Sequence, residues 1–380
     1  MFGKSYRLFQ LLGFEVKLDP SWLILAFLIV WTLAVGWFPA YYPDIPAAGY
    51  WLMGLAGALG LFLSIVFHEL AHALVARRNG IAMHGITLFI FGGVAEMTEE
   101  PPSAKSEFMM AIAGPIASLI LSVMFYVLNI LIGTMVWSQP IQAVFSYLSM
   151  INVILAAFNL IPAFPLDGGR VLRSALWALK KDLKWASRIS SRIGSAFGIL
   201  LIALGAFSVF SGNFIGGIWW FLIGLFLLQA SRGSYRQFIL QKALEGESIE
   251  RFIQTQPVTV VSTLSVNDLV EGYFYRYEQK MFPVVDESET LLGCVDSNQI
   301  KQIPKENWNE RTVGEITIEC SRDNTIAPQT DAVKALTYMK RTGHGRMMVA
   351  NNSHLLGTVS LKDMLRFLSV KLDLDSEELN

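Results

Sequence analysis

The stretch F-H-E-L-A-H-A-L-V-A-R-R, from Phe67 to Arg78, holds the residue types in this chain best suited to chemistry. On a helix, His68 and His72 lie one turn apart and project from one face, the arrangement two imidazoles need to chelate a single Zn²⁺. Glu69 is turned about 100° from His68, within reach of a metal-bound water rather than of the metal. Zinc lowers the pKa of its water to about 7, and a neighbouring carboxylate can take that proton and hand it to a leaving amine. Metal-activated hydrolysis, with Glu69 as general acid and base, is the chemistry this spacing suits.

The setting argues against an ordinary exposed helix. G-L-A-G-A-L-G-L-F-L-S-I-V-F precedes the motif and A-L-V-A runs through its end. An ionisable side chain at bilayer depth costs about 2.5 to 3.5 kcal/mol even on lenient scales, so such groups are kept for a use. A catalytic zinc site takes three protein ligands and leaves one position for water, so a third ligand must come from elsewhere. Cys294 and Cys320, the only cysteines, lie in a distant polar region, which excludes a thiolate cluster and argues against a disulfide framework. His84 falls beyond the Arg77-Arg78 boundary. Asp167 is better placed, in N-L-I-P-A-F-P-L-D-G-G-R, where Pro162 and Pro165 stop a helix and Gly168-Gly169 permit a tight turn. Irregular backbone at membrane depth is tolerated only inside protein or beside a cavity. On spacing alone a second reading stays open, in which Asp167 caps the following helix at the membrane interface.

These residues need elements that hold them in a bilayer, and composition supplies them. Of 380 residues 53% are hydrophobic and 16% charged, with mean hydropathy +0.44, where a soluble domain carries about a quarter charged residues. Apolar stretches long enough to consider as spans fall at Trp22–Trp37, Tyr50–Ala76, Phe108–Ile132, Val144–Ile161, Ile193–Phe210 and Phe214–Ala230, the first, fourth and sixth being short or interrupted. Lys and Arg follow the second stretch (Arg77, Arg78), the fourth (Arg170, Arg173, Lys180, Lys181, Lys184, Arg188, Arg192) and the sixth (Arg232, Arg236, Lys242), and are missing after the others. This alternation predicts about six transmembrane helices with both termini cytoplasmic. Charges among the apolar residues of Met1–Asp19 argue against a cleavable signal peptide. The net charge of -1 gives no reason to expect a nucleic-acid partner. Between the second and third stretches, Gly85–Met97 is too short to cross and reads as a membrane-associated strand entering a turn.

From about Gly246 the pattern changes to short β-rich runs alternating with amphipathic helices. Phe282–Gly293 (F-P-V-V-D-E-S-E-T-L-L-G) lines up with Arg346–Gly357 (R-M-M-V-A-N-N-S-H-L-L-G). Two α/β copies, roughly 65 residues each, are expected to pack as one cytoplasmic module. His344 and His354 read as surface residues of it.

H-E-L-A-H in one apolar stretch, A-G-P-I-A-S at Ala113–Ser118 in the next, and N-L-I-P-A-F-P-L-D-G-G at Asn159–Gly169 together resemble the site-2 protease family, the M50-type intramembrane zinc metalloproteases. The resemblance covers approximately the first 230 residues. It implies one catalytic Zn²⁺ on His68, His72 and Asp167, with Glu69 catalytic. It also implies that Asn159 contacts the substrate backbone or the developing oxyanion, a role an amide can serve. Gly114 and Pro115 suit close helix approach, and Asn152 a bond to a neighbouring helix. A helical substrate must be unwound to be cut, and a strand at Ile86–Phe91, with Ile86, Leu88 and Ile90, is expected to offer it edge hydrogen bonds.

The repeat resembles a pair of CBS domains, which implies a site for an adenine nucleotide. G-T-V-S-L-K-D at Gly357–Asp363 would place Ser360 and Asp363 on phosphate or ribose, whereas G-C-V-D-S-N-Q at Gly293–Gln299 puts Asp296 and Gln299 at the matching positions of the first copy. The expected domains are therefore 1–232 (transmembrane metalloprotease), 233–245 (linker) and 246–380 (tandem CBS, about 246–312 and 313–380). The expected substrate is a membrane protein or peptide, such as a membrane-tethered transcription regulator, an anti-sigma factor or a signal peptide remnant, and the CBS pair could also join copies into a homo-oligomer. An alternative is a CBS-regulated transporter or channel with an intramembrane cation site, which leaves Glu69 unexplained.

Overall fold

The computed structural model describes residues 6–81, 83–89, 92–97, 100–133, 139–351 and 354–375. Contacts divide the chain into two compact units, Met1–Arg236 and Gln237–Asn380. The first unit opens with a hairpin of β1 (Tyr6–Leu11) and β2 (Phe14–Leu18) around Leu12 and Gly13, both at positive φ. The charges of this stretch are the outward half of a period-2 alternation, plainest in F-E-V-K-L, where Phe14 and Val16 are buried. α1 (Ser21–Trp31) continues through a π-helical turn, Thr32–Trp37, into α2 (Phe38–Tyr41). Pro46 precedes α3 (Ala47–Arg78), whose 32 residues make a rod roughly 48 Å long. There follow β3 (Met83–Phe89), β4 (Gly92–Met97), α4 (Ala104–Ile132), α5 (Gln139–Asn159), α6 (Asp167–Lys180), α7 (Leu183–Phe210) and α8 (Phe214–Leu244).

Among the described residues, five helical rods are long and apolar enough to cross a membrane: Ser21–Tyr41, α3, α4, α5 and α7. The sixth apolar stretch of the sequence forms the first part of α8. Outward side chains such as Ile120, Val123 and Leu131 of α4 are exposed, as lipid contact requires. Inward, small hydroxyls stitch helices together. Ser122 and Ser149 each donate to the other's carbonyl between α4 and α5, at 2.8 and 3.0 Å, and Ser191 and Ser231 do the same between α7 and α8, at 2.9 and 2.8 Å. In lipid, where apolar burial gives little drive, such bonds and close packing hold helices together.

The four strands form one sheet in the order β1-β2-β3-β4. Phe14, Val16, Ile86 and Leu88 pack from this sheet onto Val66, Leu70 and Ala73 of α3, the helix that carries His68 and His72. This corrects the expected role of β3. It is an inner strand, parallel to β2 on one side (Glu15↔Gly85 to Leu18↔Leu88) and antiparallel to β4 on the other. With both edges paired and Ile86 and Leu88 fully buried, β3 has no free edge to offer a substrate; the strand at the end of the order is β4. Ile90 lies outside the described residues.

In the second unit the order is β5 (Val260–Val261), α9 (Val266–Leu269), a π turn at Val270–Phe274, α10 (Tyr275–Tyr277), β6 (Met281–Val285), β7 (Leu291–Asp296), α11 (Ser297–Lys301), α12 (Val313–Ile316), β8 (Ile318–Glu319), β9 (Thr325–Ile326), α13 (Ala332–Thr342), β10 (Arg346–Asn351), β11 (His354–Ser360) and α14 (Leu361–Asp375). Two sheets result, β5-β6-β7-β8 and β11-β10-β9. The copies exchange their leading segments. Leu244, Ile249 and Phe252 sit in the core of the second copy with Met339, Met347 and Met364, while Val313 sits in the core of the first with Phe282 and Val295. A boundary at 312/313 therefore separates residues that pack together. Within the segment 233–245, expected as a linker, the chain is helical as far as Leu244, the end of α8, with Phe238 and Leu244 buried.

Candidate metal centre

α3 brings His68 and His72 to one face, with ring centroids 4.9 Å apart and both side chains buried. The first residue of α6, Asp167, meets them there. Its Oδ2 lies 3.0 Å from His68 Nε2 and 3.1 Å from His72 Nε2, and the two Nε2 atoms are 3.2 Å apart. The alternative in which Asp167 caps α6 does not match this geometry: Leu166 is the cap residue, with no side-chain cap, and the carboxylate is turned onto the imidazoles. Gly168 and Gly169 make the approach feasible, since a Cβ on either would run into the backbone of Leu160 to Phe164, where α5 has ended.

The opposite side of each ring is held by α4. His72 Nδ1–H donates to the Met110 carbonyl at 2.7 Å, and His68 Nδ1 pairs with Ser118 Oγ at 2.9 Å. A carbonyl only accepts, so the proton of neutral His72 is on Nδ1 and its Nε2 lone pair faces the cluster. Gly114, between those two partners, is in van der Waals contact range of both rings; a Cβ there would collide with His68 Nε2 and His72 Nε2. Glycine in A-G-P-I-A-S is thus dictated by the imidazoles, a closer approach than general helix packing needs.

The donor set fits zinc. Three donors about 2.0 to 2.1 Å from one tetrahedral ion stand roughly 3.3 Å from each other, and here the spacings are 3.0, 3.1 and 3.2 Å. Two neutral nitrogens and one carboxylate oxygen form a ligand set of the catalytic type, with one position left over. Among the described residues, His68, His72 and Asp167 form the one group of three or more such side chains gathered this closely.

Glu69 follows His68 on α3, and its carboxylate lies against the sheet. A Cβ on Gly93 of β4 would lie 2.5 Å from Glu69 Cγ and 2.9 Å from Oε1, so the strand backbone rests directly on the carboxylate. The Gly92-Gly93 pair reads in the sequence only as a turn; Gly92, at φ +128, fits that, while Gly93 is glycine for close approach. Asn159, the last residue of α5, donates one Nδ2 hydrogen to the Leu155 carbonyl at 3.0 Å, within its own helix.

In the second unit a cleft of about 560 Å³ is lined by both copies, including Lys280, Lys301, His344, Arg346, Ser360 and Lys362. Ser360 bonds Asp363 Oδ2 at 2.5 Å and accepts from Asp363 N, so this pair opens α14, much as Asp296 and Gln299 form a capping box on α11. Burial lowers the pKa of Arg346, with the Asp363 carboxylate opposing that shift. Its guanidinium donates to Gln279 and Thr358, at 2.9 and 3.3 Å. His354 is exposed, while His344 faces Asp296 at 3.5 Å.

A helical membrane fold that gathers two buried histidines and a half-buried aspartate at zinc spacing, with a glutamate beside them, defines a membrane metallohydrolase. Comparison with known proteins narrows the class. Residues 56–136 and 126–201 match the model of Peptidase family M50, and residues 313–370 match the CBS domain. The zinc metalloprotease Rip3 of Mycobacterium tuberculosis is 32% identical over 362 residues, 95% of this chain and 92% of its own length. A Synechocystis zinc metalloprotease is 36% identical over 313 residues, 82% of this chain and 81% of its own. The solved site-2 protease from Methanocaldococcus jannaschii aligns with 60% of this chain and 94% of its own, at 29% identity and a TM-score of 0.43. The chain belongs to the M50 site-2 protease family: it is a zinc metalloendopeptidase with a C-terminal CBS module.

Proposed function

We propose that the chain hydrolyses a peptide bond in or near a transmembrane segment of a membrane protein, with His68, His72 and Asp167 as the zinc ligands. The observation that carries this reading is the contact of Glu69 with the edge strand. A carboxylate one residue from a zinc ligand and in contact with Gly93 of β4 stands where water and an extended substrate would meet. When bound, the metal supplies Lewis acidity to the reacting water and carbonyl. Everything else falls to the protein. The Met110 carbonyl holds His72 in the tautomer that leaves Nε2 free, and Ser118 orients the His68 ring. Glu69 takes a proton from the attacking water and returns it to the departing nitrogen. The outer edge of β4, unpaired among the described residues, takes an unwound substrate segment as an added strand, keeping its carbonyl out of helical hydrogen bonds. Asn159 spends one Nδ2 hydrogen on the Leu155 carbonyl, and the second is the donor it offers to an oxyanion.

The Lys and Arg pattern favours about six spans with both termini, and the CBS module, on the cytoplasmic side. Arg173 no longer counts as a loop charge, being 3% exposed, but Lys180 to Arg192 carry the bias without it. Membrane-tethered regulators, anti-sigma factors and signal peptide remnants are the substrate class the family suggests. The cationic lining of the CBS cleft suits the phosphates of an adenine nucleotide that modulates cleavage.

Glu69→Gln tests the core of this reading. The variant should keep one zinc per chain, lose cleavage by about a hundred- to ten-thousandfold, and retain uncut partners that can be isolated with it. Wild-type protein purified without stoichiometric zinc would remove the reading's foundation. Full cleavage by Glu69→Gln would remove its mechanism.

A further inference from the structure

The fully buried face of α6 carries no apolar side chain. Its buried residues are Gly168, Gly169, Arg173 and Ser174. Glycines let the helix approach its neighbours but interlock with nothing, and its apolar residues Val171, Leu172, Leu176 and Trp177 are only half-buried, so apolar packing constrains its roll, which aims Asp167, weakly. Arg173 is the long side chain on that face, and it is 3% exposed.

Its guanidinium gathers the segments that surround the metal cluster. Nε and Nη2 both reach Oε1 of Glu107 at 2.5 Å, Nη2 reaches Glu100 Oε2 at 3.1 Å, and Nη1 approaches Ser187 Oγ of α7 at 3.5 Å. The group also stands 5.5 Å from the ring centre of Phe164, in the broken stretch that leads into Asp167. Glu107 is fully buried in the first turn of α4, one turn before Met110, whose carbonyl holds His72. Glu100 follows β4, the strand that rests on Glu69.

Stability alone does not account for this arrangement. A buried ion pair recovers its desolvation cost poorly, and a well-packed apolar pair is often as stable or more so. Here Glu107 Oε2 is in addition buried without a hydrogen-bond partner among the described residues. What an apolar pair lacks is direction, whereas a guanidinium fork fixes angle as well as distance.

We infer that Arg173, through Glu107, is a positioning residue for the zinc site: the pair sets the roll of α6 against α4 and so holds Asp167 opposite the two histidines. The inference rests on the reading of His68, His72 and Asp167 as zinc ligands.

The test uses the full chain in detergent and three forms: wild type, Arg173→Lys, and the apolar pair Arg173→Met with Glu107→Leu. Zinc affinity is read by chelator competition, site geometry by the visible spectrum of the Co²⁺-loaded protein, and folding by thermal unfolding of the metal-free protein. The apolar pair should unfold at or above the wild-type temperature yet bind zinc about 10- to 100-fold more weakly, with an altered Co²⁺ spectrum. Arg173→Lys keeps the charge and loses the fork, so it should shift affinity and spectrum the same way by less. Wild-type affinity and spectrum in the apolar pair would overturn the inference. If that pair fails to fold, the same result in Arg173→Lys overturns it. A wild type that takes up no zinc would instead fell the ligand reading, and this inference with it.

Discussion

His72 gives its Nδ1 proton to a backbone carbonyl, and no mutation removes that acceptor; His68 depends on a single hydroxyl, which one mutation does remove. Partners of this kind hold a metal-binding imidazole in one tautomer and orientation, and losing one typically weakens the metal about 10- to 100-fold. Ser118→Ala should therefore release zinc to a chromophoric chelator at about 10- to 100-fold lower chelator strength, while unfolding normally without metal. Gly114→Ala should do worse, because its methyl needs the space both Nε2 atoms occupy, and should leave less than one zinc per chain. Unchanged zinc affinity in both would mean that α4 does not shape the site. The sequence shows His68, Glu69 and His72 by helical spacing alone, since all three sit on one unbroken helix. Asp167 shows only as a broken helix, 95 residues beyond His72. Met110 does not show at all, because a backbone carbonyl bears no residue signature.

Strands β3 and β4 share a hairpin but have different surroundings, and the difference decides what each can do. β3 lies between two neighbours with Ile86 and Leu88 fully buried, so Ile86→Ala should act on stability, costing about 2 to 5 kcal/mol in the cavity it leaves. β4 lies at the edge and against Glu69, so Gly93→Ala should act on catalysis. A Cβ 2.5 Å from Glu69 Cγ must push either the strand or the carboxylate aside. Cleavage by Gly93→Ala should fall by about tenfold or more, as a displaced general base implies, with zinc content unchanged; equal activity in that variant would separate β4 from the chemistry. The spans are readable from the sequence because apolar runs leave few alternatives: Tyr50–Ala76 falls within Ala47–Arg78, and Ile193–Phe210 within Leu183–Phe210. The sheet is harder to read, since β2 pairs with β3 across about 70 residues of sequence and nothing local marks that partner.

The CBS unit raises a question of cooperativity that no single copy answers. Sequence similarity divides it near 312, yet Phe252 belongs by packing to the second copy and Val313 to the first. Met281, Leu291 and Cys294 of the first sheet share a further core with Met348 of the second. Loosening one copy should therefore open the other, and Cys294 is placed to report it. Burial pushes its thiol up to about 12, with Asp296 adding to the shift. At pH 8 that leaves only about one thiol in ten thousand ionised, and thiolate is the reacting form. Cys320 is exposed and is the sole other thiol of the chain, so Cys320→Ser leaves Cys294 as a single probe. In that background labelling should be slow at pH 8 and limited by opening of the unit. Adding Phe252→Ala, a nearly buried ring whose loss costs about 3 to 5 kcal/mol, should raise the open population and the labelling rate by about a hundredfold or more. An unchanged rate would mean that the copies open independently, and that a ligand held in their shared cleft has no route to act on the unit as a whole.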